Sequence, residues 1–189
     1  MASKQNHIYS EAYPSEILTD YVSSYFKAVN LSDIAEEITI CPDGYFKLII
    51  QTLNNKIVSY FLTGLWTKEI DIIVQPGVVT YGIRFKIIAP EYILRREIKS
   101  ILNSIEQLDV DYFDVNNIEF TSFSEIVNQF EEILIQKIPN EREIRTNRLR
   151  LSQFLYSCFE DIKTSEVASQ IYWSQREINR YLNKYLGIS

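Results

Sequence analysis

With 189 residues, 46% hydrophobic and 13% aromatic, the chain holds enough apolar material for one medium domain and a small appendage, and too much to stay disordered. A net charge of −6 argues against nucleic-acid binding spread over the whole surface, and no apolar run approaches the roughly 18 residues needed to cross a bilayer. The start, Met-Ala-Ser-Lys-Gln-Asn-His, is too polar for a signal peptide. Cys41 and Cys158 lie far apart in no metal-ligand spacing, so reduced thiols in a cytoplasmic protein are expected.

In chain order, the segment from Pro14 to Val22 has helical spacing through Ile17, Leu18, Tyr21 and Val22. Short runs rich in β-branched and aromatic residues follow: Tyr25–Val29, Glu37–Ile40, Tyr45–Gln51, Ile57–Leu62, Ile70–Gln75 and Val78–Ile87. Pro42-Asp43-Gly44, Asn54-Asn55 and Pro76-Gly77 separate them as turns, which predicts a small antiparallel barrel or sandwich. Its Tyr and Phe rings either line a ligand cavity or fill the core. Arg84, between Ile83 and Phe85, faces opposite to both. Pointing inward it needs a partner, and Asp43 or an anionic ligand can serve. A salt bridge at the rim is the plainer alternative.

A catalytic metal in such a barrel needs two or three histidines with a carboxylate, and the chain has only His7, placed in a loose N-terminus. Neither a glycine-rich phosphate loop nor a Gly-x-Ser-x-Gly elbow occurs. The adjacent carboxylates Glu36-Glu37 and Glu131-Glu132 diverge on any regular element. No cofactor and no enzymatic activity are expected.

Helical spacing returns with Ile93, Leu94, Ile98, Ile101, Leu102, Ile105 and Leu108, and again with Ile126, Val127, Phe130, Ile133, Leu134 and Ile138. Pro139-Asn140 marks a boundary. Residues 1–139 carry 11 Lys+Arg against 19 Asp+Glu, a balance of −8, whereas residues 140–189 carry 8 against 6, a balance of +2. Arg142, Arg145, Arg148 and Arg150 cluster at the start of this basic tail. They offer cations for phosphates, or a solvated helix face with Glu141 and Glu143 as partners. A helix over Asn147–Glu160 with Leu149, Leu151, Phe154, Leu155 and Phe159 follows.

The last 26 residues have the pattern of a helix-turn-helix. Thr164 or Ser165 caps a first helix that buries Val167, Ala168 and Ile171; Tyr172 and Trp173 turn; Ser174 caps a second helix, with Glu177 completing a capping box. On that helix Ile178, Leu182 and Tyr185 form an apolar stripe, and Arg176, Asn179, Arg180 and Asn183 share a polar face. Guanidinium and carboxamide groups pair with base edges, and cations with phosphates. Gly187 stops the helix.

The string Ser-x-Val-Ala-x-x-Ile-Tyr-Trp-Ser-x-Arg-x-Ile-Asn-Arg-Tyr-x-Asn-x-Tyr-x-Gly-Ile-Ser resembles the first of two helix-turn-helix units in AraC-type bacterial transcriptional regulators. Ala168, Ser174, Ile178, Arg180, Gly187 and Ser189 match the family pattern, and Tyr172 stands where many members have a turn glycine. Ile40-Cys-Pro-Asp-Gly-Tyr-Phe-Lys-Leu-Ile-Ile50 and Tyr81-Gly-Ile-Arg-Phe85 are similar to stretches of the β-rich sensor domain that often precedes such units. The family has a second unit after the residues that end this sequence, which reads as a fragment of a longer regulator or as a naturally short form.

The resemblance implies an α+β chain with three parts: a β-barrel or cupin-like sensor and dimerisation domain over residues 1–90, a helical linker and dimerisation region over 91–139, and a truncated three-helix DNA-binding unit over 140–189. The expected function is sequence-specific reading of double-stranded DNA by a homodimer, controlled by a small-molecule effector or by dimerisation. Arg176, Asn179 and Arg180 are expected at base edges, and Ser174, Gln175, Asn183 and Lys184 at phosphates. Asp43 and Arg84 are the ligand candidates. The alternative is a non-DNA signalling or protein-interaction module.

Overall fold

A computed structural model describes residues 7–139, 144–158 and 163–188. Eight strands come first: β1 (His7–Ala12), β2 (Val22–Asn30), β3 (Glu36–Ile40), β4 (Phe46–Leu53), β5 (Lys56–Thr63), β6 (Ile70–Val74), β7 (Val79–Phe85) and, after a short helix α1 (Ala89–Tyr92), β8 (Ile105–Gln107). Helices α2 (Phe123–Ile135), α3 (Thr146–Ser157), α4 (Thr164–Ile171) and α5 (Gln175–Leu186) complete the chain. The fold is α+β, with a mostly antiparallel sheet region followed by helices.

Six strands form one antiparallel sheet in the order β1-β2-β7-β4-β5-β8, and β3 pairs separately with β6. The sheet has β1 and β8 as edges and does not close on itself, so the expected barrel is an open sheet. Period-two alternation assigns its faces. Tyr25, Phe46, Leu48, Ile50, Tyr60, Leu62, Tyr81, Ile83 and Phe85 lie on one face and are buried. They meet the apolar side of α2, where Phe130 stacks on Tyr25, and Phe120 packs on Tyr81. These rings fill the core. The α2 stripe of Ile126, Val127, Phe130 and Leu134 is thus buried on its own sheet.

The second face carries Phe26, whose ring lies where a side chain at position 82 would stand: a Cβ on Gly82 would come within 2.2 Å of it. The Tyr-Gly-Ile-Arg-Phe run therefore needs its glycine for close approach.

Three expectations are corrected. Residues 93–108 do not form a helix: α1 ends at Tyr92, Arg95 beyond it is left-handed, a 3-10 turn spans Lys99–Ile101, Asn103 is left-handed, and β8 joins the sheet edge. Tertiary hydrogen bonds override the helical spacing here, because the N–H groups of Asn103 and Leu108 donate to Leu65 and Tyr60 carbonyls, and Ser104 accepts from Gly64. Ile93, Leu94, Ile98 and Ile101 are buried all the same. Likewise, the helical spacing at Pro14–Val22 yields only a 3-10 turn at Glu16–Leu18 before β2 begins at Val22. His7 is not loose; it opens β1 and contacts Glu36.

Candidate nucleic-acid interface

Helix α3 packs on α4, and α4 on α5. The cap of α4 falls one residue earlier than expected, at Lys163, whose N–H donates to the Glu166 carboxylate. Val167 and Ile171 are buried. At the turn Tyr172 adopts a left-handed backbone with φ of 57°, the conformation that glycine favours. Ser174 then caps α5: its Oγ accepts the Glu177 N–H and its hydroxyl donates to the Glu177 carboxylate at 2.6 Å. That hydroxyl is the main reason the Glu177 carboxyl lies below its usual range. Gly187, with φ of 79°, ends α5 and donates to the Leu182 and Asn183 carbonyls.

The buried side of α5 is centred differently from the expected stripe. Ile178, Tyr181 and Leu186 are buried, while Leu182 and Tyr185 flank them half-buried. Tyr181 was missed because its hydroxyl reads as polar in a periodicity argument; its ring lies 5.7 Å from Trp173 and 5.1 Å from Tyr185.

Six of the seven sequence-derived contact residues, Ser174, Gln175, Arg176, Arg180, Asn183 and Lys184, are exposed. Arg176, Arg180 and Asn183 fall together on the outer face of α5, at i, i+4 and i+7. Asn179 departs from them. It is half-buried, and its side-chain oxygen is shielded from water without a hydrogen-bond partner among the described residues. Its i+3 and i+7 neighbours are Leu182 and Leu186, so it turns toward the packed flank and not toward a groove.

Of the four tail arginines, Arg145 and Arg150 are exposed and Arg142 lies outside the described residues. Arg148 is not available to phosphates. Its guanidinium pairs with Glu91 of α1 and lies over the Tyr181 ring at 5.0 Å, with the two charged side chains only 16% and 15% exposed. Further bonds tie the helices to the front region. The Arg145 N–H donates to the Tyr92 hydroxyl at 3.0 Å, the Ile98 N–H to the Tyr185 carbonyl at 2.8 Å, and Gln153 to Asp20 at 2.9 Å.

The other candidates lie on the second face of the sheet. Arg84 donates to Glu11 at 2.6 Å and Tyr9 at 2.8 Å and lies 3.7 Å from Asp43, its guanidinium 4.8 Å from the Phe26 ring centre. Asp43 also pairs with Lys47 at 2.8 Å. Arg84 and Asp43 are thus brought together in an ionic network, the plainer of the sequence alternatives. The Asp43 turn leads on to α3, where Tyr156 stacks on Tyr45, donates to the Gly44 carbonyl and accepts the Ile87 N–H.

Among the described residues, no helix is long and apolar enough to cross a membrane. No protein-family model and no curated protein matches the chain. Among solved structures it is similar to a xyloglucanase of glycoside hydrolase family 44 from Paenibacillus polymyxa, at 14% identity and a TM-score of 0.34. That similarity spans 44% of this chain and 17% of the xyloglucanase, and it carries no inference about fold or activity.

Proposed function

We propose that the chain is a sequence-specific DNA-binding regulator of the AraC type, acting in the cytoplasm, whose α4–turn–α5 unit is a helix-turn-helix and whose β-rich front, an open sheet, is a sensor domain. The observation that carries this is the set of Arg176, Arg180 and Asn183, exposed on one face of a capped helix whose opposite face is buried. Guanidinium forks in that position reach base edges without disturbing the core. Ser174, Gln175 and Lys184 flank them toward the phosphates, and Asn179 is left with a packing role. Two copies of the chain would present α5 to successive major grooves about 34 Å apart. Light scattering that gives a monomer at every concentration would remove that part of the proposal.

The test is selection of duplexes from a random pool by the 189-residue chain. Arg180→Ala should then cost about 1 to 3 kcal/mol at the selected site and relax preference at one position. Lys184→Ala should weaken all duplexes alike and lower the salt dependence by about one charge. Folded arginine variants that bind as well as the parent chain, or a chain that selects nothing, would leave the protein-interaction module as the better reading.

A further inference from the structure

A cleft of about 520 Å³ opens where the front region meets α5, within the range of small-molecule sites. One wall is the segment 91–97 and the other is Lys184 and Tyr185 on α5. Five charged side chains line it, and three are neutralised within the protein: Glu91 by Arg148, Arg96 by both Glu106 oxygens at 3.0 and 2.5 Å, and Glu97 by Lys99 at 2.8 Å. Arg95 and Lys184, one on each wall, have no carboxylate at ion-pair distance among the described residues; Glu97, whose carboxyl is held below its usual range chiefly by Lys99, is also attracted by Lys184 at longer range.

Both cations are exposed, and the backbone that carries Arg95 is held in place. Arg95 has a left-handed backbone, φ of 54°, fixed on either side by the N–H of Leu94 donating to Ala89 and that of Arg96 donating to Pro90, each at 2.9 Å. Unfavourable backbone of this kind on a side-chain-bearing residue concentrates at ligand sites. The Lys184 ammonium lies 4.8 Å from the centre of the Tyr185 ring.

We propose that this cleft binds a small organic dianion, a phosphate monoester or a dicarboxylate, whose charges meet Arg95 and Lys184 while its apolar part lies against Tyr92 and Tyr185. The ligand bridges the front region and α5, and its binding does not depend on α5 being a DNA-reading helix. A regulatory consequence does rest on that proposed function: occupancy takes Lys184 away from DNA phosphates.

Calorimetry of the full chain without DNA, at fixed ionic strength, tests the site with phenyl phosphate, phthalate and inorganic phosphate. Saturable binding of phenyl phosphate or phthalate, tighter than that of inorganic phosphate, is expected, and which of the two binds better separates the phosphoryl from the dicarboxylate source. Arg95→Ala and Lys184→Gln should each weaken it about tenfold. Glu97→Gln, which removes a negative charge from the wall, should tighten it. Lys56→Ala, at an exposed position on β5 outside the cleft, should change nothing. The proposal is overturned by no heat beyond dilution for all three anions, or by binding that survives both cation substitutions in folded variants. Equal loss in Lys56→Ala would overturn it as well, since that is general charge attraction. A chain that selects no DNA yet binds phenyl phosphate through Arg95 would leave the site standing and the regulator reading fallen.

Discussion

Tyr172 combines two costs with no visible return. Its backbone is left-handed, which is unfavourable by about 1 to 2 kcal/mol for a residue with a Cβ, and its side chain is 84% exposed, so the ring recovers little by burial. The resemblance flagged the position, because many members of that family have a turn glycine there, and the structure supplies the left-handed dihedral that favours one. Tyr172→Gly should therefore stabilise the fold by about 0.5 to 1 kcal/mol, the relief of strain being partly offset by the freer unfolded chain. For a protein of this size that is a rise in Tm of roughly 1 to 4 °C, readable by thermal denaturation. A lower Tm would mean the ring makes a stabilising contact. Arg148 is the opposite case. Nothing near it in sequence names Glu91 as its partner, so its basic neighbourhood suggested phosphates, and only the packing of α3 against α1 reveals an internal ion pair.

Elements were legible where local chemistry decides them. The runs that became β2 to β7 are β-branched and aromatic between turn residues, and α5 begins at the Ser174 cap and ends at Gly187, so their existence follows from short-range physics. Which strands form edges, and whether a sheet closes, depends on contacts between distant segments, and the open order from β1 to β8 was not readable. The failure at residues 93–108 has the same origin: apolar residues at helical spacing are equally well buried by a succession of turns when neighbours take up the backbone groups. The Glu91–Arg148 pair joins such a segment to α3 and gives a test at this scale. Arg148→Ala leaves Glu91 shielded and uncompensated and should cost about 2 to 4 kcal/mol in urea denaturation, because a pair this far from water loses more than surface pairs do. The double replacement Glu91→Gln with Arg148→Met should recover much of that loss. If the single and double variants are equally unstable, the guanidinium acts mainly by packing on Tyr181 and not through the charge.

Across the whole molecule, one apolar cluster runs from the sheet through α2 into the C-terminal helices, including Leu151, Val167, Ile171, Ile178, Tyr181 and Leu186. A continuous core predicts that sheet and helices unfold together. The buried tyrosines allow this to be read by pH. Burial pushes the Tyr21 hydroxyl up to about 12 from its ordinary 10.0, and pushes Tyr25 on β2, Tyr60 on β5 and Tyr181 on α5 further up. A phenol whose folded-state pKa exceeds its unfolded value contributes stability that is complete below the unfolded pKa and is lost as pH rises toward the folded one. The chain should therefore be indifferent to these groups at neutral pH, begin to lose stability near pH 10, and unfold in alkali while the phenols ionise. Because the responsible residues lie in the sheet and in the helices alike, phenolate absorbance and helical circular dichroism should change in one coincident transition. Two separated transitions, with helix content lost first, would show that the helices are a separately folding unit and that the contacts joining them to the front region, Arg148 with Glu91 and Tyr156 with Gly44 and Ile87, contribute little in solution.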